Sequence, residues 1–442
     1  MRRGSSTPIL LFLLGLGSYL QVVASLSLSE IFVLAAAPML LFVGEYQKMQ
    51  RTGVHKFFIF SVLVLVGCTI NYFYFGSIPY YTLRRFAQVS IFVCSVPVMH
   101  WVLRREMAGI KWFLFGAAIS IVLCTFIFKR SVEVSMYGAD AQAIANGQIY
   151  WIQRLSGLIR LPATGWYLQT PLMYSIIAPM GFAVACALLS ASGRSAALGA
   201  MAFSALVFFG GKTVSRMRKM RKMFWGLFFG ALISIPIVTA VYGSLASNGV
   251  LGEAQQKKYM GQTHGEGGVF RLLIGGRAES VVGIYACMKN PILGFGLEGR
   301  DPHGYWEEFI EKYGSPDDVE AFYLAKEWFG KMGLSLADGG IPTHSYVGAF
   351  WTYYGMFGLF YWLYVFWVFF RYIKDDVAAV PQWYAWLACS IPAVLWDIFF
   401  SPVSSRIQIP LMVVACLITR AVRLGRQRLP PEMIKEIMRH AR

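Results

Sequence analysis

A chain of 442 residues that is 57% hydrophobic, 16% aromatic and only 14% charged is too apolar to fold as a water-soluble globule. Its net charge of +17 invites a nucleic-acid reading, but Ser244 to Thr343 holds nine Lys and Arg against thirteen Asp and Glu, a net of −4, which leaves +21 on the other segments. That asymmetry is what the positive-inside bias of a polytopic membrane protein produces, and nucleic acid is not needed as a partner.

In chain order, Met1-Arg-Arg precedes an apolar run from Ile9 to Ala24. The layout is that of a signal sequence, but further apolar runs follow at once, so a retained first span is expected. Further spans are expected at Glu30 to Gly44, Phe57 to Gly76, Phe86 to Leu103, Ile110 to Phe128, Leu168 to Ser190, Ser195 to Gly211 and Met223 to Gly243. After a long polar segment come Ser345 to Phe370, Trp383 to Phe400 and Val403 to Thr419. Lys and Arg place the N-terminus, Glu45 to Lys56, Arg104 to Lys111, Lys212 to Lys222 and the C-terminus on the cytoplasmic side. Parity then requires one more crossing, and the weakly apolar stretch Ala141 to Leu161 is where it fits. The expectation is an all-α polytopic protein of about 12 transmembrane helices with one large, partly helical periplasmic loop. The chain divides into N-terminal spans over 1–243, a loop domain over 244–344, C-terminal spans over 345–420 and a basic cytoplasmic tail over 421–442. The basic flanks have anionic membrane lipids as their natural contacts.

Within the loop, Arg277 to Lys289 reads as an amphipathic helix ended by Asn290-Pro291, followed by the turn Leu293-Gly-Phe-Gly296. Glu307 to Lys331 reads as one or two helices broken at Gly314-Ser-Pro316. Seven cysteines are present, six in apolar runs and Cys287 alone in the loop, so no disulfide or zinc framework follows. The acidic run Asp317-Asp-Val-Glu320 reads as a solvated loop rather than a metal site.

The stated topology puts Arg194, Arg277 and His344 on the same outer face, each beside an apolar helix. Two guanidiniums neutralise a diphosphate through bidentate hydrogen bonds, and an imidazole near neutrality takes a proton from a hydroxyl. Singly, each is also what an ordinary interfacial anchor looks like; their joint placement favours chemistry. Arg154 and Arg160 fall where a donor would reach such a site.

Arg194-Ser-Ala-Ala-Leu198 has the Arg-x3-Leu form, and His344-Ser345, nine residues, Gly355, two residues, Gly358 has the His-[Asn/Ser/Gln]-x9-Gly-x2-Gly form. Together they resemble bacterial O-antigen ligases. Gly276-Arg277 with Asn290-Pro-Ile-Leu-Gly-Phe-Gly296 is similar to a loop segment shared by O-antigen ligases and polymerases. The likeness runs from about Arg154 to Phe370. The tryptophan often found a turn after the loop arginine is absent, with Val281 and Tyr285 in that region, and Ser345 stands where Asn is commoner. The resemblance implies an inner-membrane glycosyltransferase that takes a glycan from undecaprenyl diphosphate on the periplasmic side. His344 would be the base and Arg194, Arg277, Arg154 and Arg160 would bind substrate, with no cofactor and no metal. The acceptor would be a lipid A core sugar in a ligase or a second lipid-linked glycan in a polymerase. From a different class, a transporter or flippase for an anionic lipid-linked solute fits the spans and arginines, but the two halves of the chain do not match and the long structured loop has no place in it.

Overall fold

The computed structural model describes residues 7–18, 20–23, 26–105, 109–123, 237, 240–250, 256, 259–260, 278–313, 341, 343, 345–376, 379–400 and 407–427. The described chain is mostly helical. Its first part contains α1 (Thr7–Gly17), strands β1 (Gln21–Val23) and β2 (Leu26–Ser27), α2 (Leu28–Phe42), α3 (Glu45–Thr52), α4 (Val54–Phe75), α5 (Pro79–Arg105) and α6 (Ile110–Val122). The loop contributes α7 (Ala278–Lys289) and α8 (Tyr305–Tyr313). The C-terminal part contains α9 (Tyr346–Tyr354), α10 (Met356–Arg371) with a π-helical turn at Tyr372–Asp376, α11 (Pro381–Phe400) and α12 (Gln408–Gln427).

Four described helical segments are long and apolar enough to cross a membrane: Val54–Phe75, Pro79–Arg105, Met356–Asp376 and Gln408–Gly425. A fifth is added if α2 and α3, bent by 89°, count as one span. The expected crossings at Leu168 to Ser190, Ser195 to Gly211, Met223 to Gly243 and within Ala141 to Leu161 lie wholly or largely outside the described residues.

Three expectations about helix limits change. The run from Ile9 to Ala24 is not one helix, because α1 stops at Gly17 and the chain enters an antiparallel ribbon pairing Gln21 with Ser27 and Val23 with Leu26. The Ser18 amide and hydroxyl both donate to the Gly15 carbonyl, at 3.1 and 2.6 Å, and so close the helix. α1 packs along α6 at backbone contact, since a Cβ on Gly15 would overlap the Phe113 carbonyl and one on Gly116 the Phe12 carbonyl.

The second change follows α2. A capping box opens it, with the Glu30 amide donating to Ser27 Oγ at 3.3 Å and the Ser27 amide donating to Glu30 Oε2 at 2.8 Å. It ends at Phe42, and Gly44, with a φ of 80°, turns the chain sharply into α3. The third is that Ser345 to Phe370 is two helices, α9 and α10, broken at Gly355.

α4 and α10 run antiparallel: Phe60 stacks on Tyr364 at 4.5 Å near one end, while at the other a Cβ on Gly67 would press on Tyr354 and Phe357. Phe57, Phe92, Phe350, Tyr361 and Trp362 fill the space between α4, α5, α9 and α10. The starts of α3 and α4 and the ends of α5, α10 and α12 therefore share one end of the bundle. Lys48, Arg104, Arg371, Arg420 and Arg423 gather there against Glu45, Asp375 and Asp376. The opposite end carries α7, α8 and the turn between them.

Candidate functional site

That opposite end is built around a crossing of two backbones. Residues 290–299 form a tight turn in which Gly294, Gly296 and Gly299 have φ of 69°, 74° and 70°. The turn lies across the α9–α10 break. The Phe295 amide donates to the Thr352 carbonyl at 2.7 Å, and the Met356 amide donates to the Ile292 carbonyl at 2.9 Å. Trp351 Nε1 donates to the Pro291 carbonyl at 2.9 Å.

Space explains the glycines. A Cβ on Gly355 would overlap the Ile292 carbonyl, and one on Gly294 would overlap that of Trp351, so neither chain could approach the other with side chains at those positions. Gly355 also has φ 62°, the left-handed region where an L side chain is strained. Gly358 abuts the Phe350 carbonyl across the break.

Asn71 of α4 fastens both chains. Its side-chain amide donates to the Leu293 carbonyl at 2.7 Å and the Tyr353 carbonyl at 2.8 Å, and the residue is buried. Two backbone carbonyls that the turn and the helix break leave unpaired are thereby satisfied. Underneath, Ala286, Cys287, Phe295 and Ile341 form a small apolar cluster. Burial pushes the Cys287 thiol up to about 12, with its 3.3 Å contact to Thr352 Oγ1 acting the other way, so this sulfur packs as a neutral group and is no nucleophile near neutrality.

α7 begins one residue after Arg277 and ends at Lys289, just before the expected Asn290-Pro291 stop. α8 runs over Tyr305–Tyr313, and the expected break at Gly314-Ser-Pro316 lies outside the described residues. Tyr285 OH donates to Glu308 Oε1 at 2.6 Å and ties α7 to α8, with Lys289 Nζ 3.4 Å from the same oxygen. The phenol, then the lysine charge, hold the Glu308 carboxyl below its usual value.

Arg154, Arg160, Arg194, Arg277 and His344 all lie outside the described residues, as does the Asp317 to Glu320 run. Both neighbours of His344 are described. Thr343 Oγ1 is 3.1 Å from Tyr353 OH, and Ser345 caps α9 by accepting the Gly348 amide at 2.9 Å. Serine is among the residues best suited to this helix-capping position, because its hydroxyl oxygen accepts an otherwise unpaired amide of the first turn.

Tyr353 also carries Arg85, which the sequence reading did not single out. Its Cζ lies 3.4 Å from the Tyr353 ring centroid, and its Nε donates to the Leu297 carbonyl at 3.2 Å. Among the described residues no carboxylate pairs with it and its terminal nitrogens make no hydrogen bond. A half-buried guanidinium oriented by stacking, with its terminal N–H groups uncommitted, is a ready anion ligand. The signal was in plain view as Arg84-Arg85 at the mouth of an apolar run, where charge bias alone suggests only an anchor. Among the described residues no group of three or more His, Cys, Asp or Glu is placed to hold a metal ion.

No family model, no curated protein and no solved structure matches the chain.

Proposed function

We propose that the chain is a membrane glycosyltransferase of the O-antigen ligase and polymerase type, working on the outer face of a bacterial inner membrane. The observation that supports this most is the crossing: the Asn290-to-Gly296 turn and the segment from Ser345 to Gly358, quoted separately for the resemblance, pack directly on one another. Arg277 precedes the helix leading into one, and His344 precedes the helix leading into the other.

In the proposed reaction an acceptor hydroxyl oxygen attacks the anomeric carbon of a glycan carried on undecaprenyl diphosphate. The new glycosidic bond forms as the bond to the diphosphate oxygen breaks. The electron pair leaves with the diphosphate, the hydroxyl proton passes to the His344 imidazole, and the anomeric configuration inverts. Arg194 and Arg277, with Arg154 and Arg160 nearer the access path, stabilise the charge that grows on the leaving group. Arg85 is a further cation at this end.

The test is in vitro transfer from an undecaprenyl-diphosphate glycan by the purified protein, with donor titrated and chelator present throughout. His344→Ala lowers turnover by about 10² to 10⁴ with donor KM little changed, because a general base acts in the transition state. Arg277→Lys raises donor KM, since a hydrated point charge replaces a planar fork. Near-parent turnover in His344→Ala rejects the base assignment, and activity that needs a divalent cation rejects the metal-independent scheme. The acceptor is read from the lipopolysaccharide of a deletion strain. Loss of all capped core identifies a ligase, and retention of a single repeat identifies a polymerase.

A further inference from the structure

The basic end of the bundle holds a second arrangement that the proposed reaction does not use. Trp367 of α10 is 42% exposed, and two guanidiniums from different helices lie against its ring: the Arg371 Cζ at 5.4 Å from the centroid and the Arg420 Cζ at 5.6 Å. The two cationic carbons therefore lie no more than about 11 Å apart over one ring, near enough for a single phosphate to be drawn to both. Arg423 is already committed to the buried Asp376, Nε to Oδ1 2.6 Å, a close contact not aligned as a hydrogen bond and acting as a charge pair. Arg371 has only a long contact, 4.0 Å, to Asp375. Among the described residues no carboxylate lies within salt-bridge distance of Arg420, which is repelled by Arg371 and Arg423 and attracted at longer range by Asp376. Three arginines against two aspartates leave a surplus positive charge.

An apolar track leads up to this pair. Phe360, Leu363, Phe366 and Trp367 are 45%, 50%, 39% and 42% exposed, at the three- and four-residue spacing that puts them on one side of α10. From Arg371 back to Phe360 the helix rises about 16 Å, close to the depth of one leaflet of a bilayer whose hydrocarbon core is about 30 Å.

We propose that this is a binding site for an anionic phospholipid of the leaflet at the basic end, with the phosphate between Arg371 and Arg420 and an acyl chain along Phe360 to Trp367. A soluble phosphate would use the arginines and leave the track idle; a lipid uses both. Occupancy neutralises the Arg371–Arg420 repulsion and so clamps α10 to α12.

The experiment uses the full chain in phosphatidylcholine micelles, titrated with phosphatidylglycerol and followed by thermal unfolding and by native mass spectrometry of retained lipid. Phosphatidylglycerol is expected to raise the unfolding midpoint, and Arg371→Gln and Arg420→Gln each to weaken its apparent affinity about fivefold or more. Arg105→Gln removes a guanidinium that stacks on Trp101 at 4.3 Å at the same end and is expected to leave the affinity unchanged. A response preserved in both site variants, or lost equally in Arg105→Gln, overturns the site. Inorganic phosphate producing the same shift overturns the lipid assignment. If the site variants cannot be recovered folded, the unmutated protein carries the test: the response must shrink as salt rises from about 0.05 to 0.5 M, and a salt-independent response overturns the proposal.

Discussion

The two ends of the bundle are fastened by different chemistry. At the end that carries α7 and α8, the turn at 290–299 meets the α9–α10 break through neutral amide and carbonyl groups, with glycines where the chains touch. At the basic end the fastening is ionic. The Glu45 carboxylate, fully buried, is 2.8 Å from His100 Nδ1 and 3.2 Å from an Arg104 nitrogen, and His100 Nε2 is 2.9 Å from Thr52 Oγ1. These contacts hold the bent helix α3 against α5. The difference teaches where tolerance lies. A neutral crossing is indifferent to salt and pH but admits no added atom, whereas an ionic clasp admits small changes of shape but not the loss of a charge.

The comparison is broken most directly at Glu45. Glu45→Ala leaves His100 and Arg104 without their carboxylate and is expected to destabilise by about 3–5 kcal/mol, read as a lowered unfolding midpoint in micelles. A small change there would mean that water reaches the clasp. Gly355→Ala comes next, at about 3 kcal/mol, because it combines a left-handed φ with overlap against the Ile292 carbonyl. Its loss should not vary between low and high salt, and marked salt dependence would contradict the neutral character of this crossing. Asn71→Leu leaves two carbonyls unpaired, at about 2 kcal/mol or more. It should speed amide exchange at Phe295 and Met356 ahead of the rest of α10, whereas uniform exchange would show that Asn71 fastens nothing in particular. The smallest effect is expected at Glu308, on the surface between α7 and α8. Its folded pKa lies below the ordinary 4.5, chiefly through Tyr285, so the α7–α8 tie is fully present above that value and fades as pH falls through the folded pKa. Glu308→Gln should abolish this acid dependence, and a dependence that persists would place the titrating group elsewhere.

How much of this was legible follows from the range of each interaction. The end of α7 at Asn290-Pro291 is local and was readable from turn chemistry. The apolar runs that became α4, α5, α11 and α12 were readable from composition, though α5 begins well before the expected Phe86 and α12 runs well past the expected Thr419. The break at Gly355 was not, because a run of apolar and aromatic residues looks continuous until another chain is known to cross it. Asn71 reads as one polar residue in a span, and its two acceptors lie 222 and 282 residues away. Arg85 was visible only as a charge at the mouth of a span: what makes it more than an anchor is a tyrosine and a carbonyl from the far half of the sequence. The five residues proposed for binding and catalysis were named from charge, side and resemblance, and lie outside the described residues.

The glycine contact between α1 and α6 bears on the order of assembly. Gly15 and Gly116 meet the opposing backbones at Phe113 and Phe12, so neither helix has side chains at those points with which to hold a substitute partner. The two glycines are about 100 residues apart, an interval of about 5–20 s at ordinary rates of synthesis. During that interval α1 is made with its glycine face uncovered. α2 to α5 emerge meanwhile, and the seat for α1 is completed only when α6 arrives behind them.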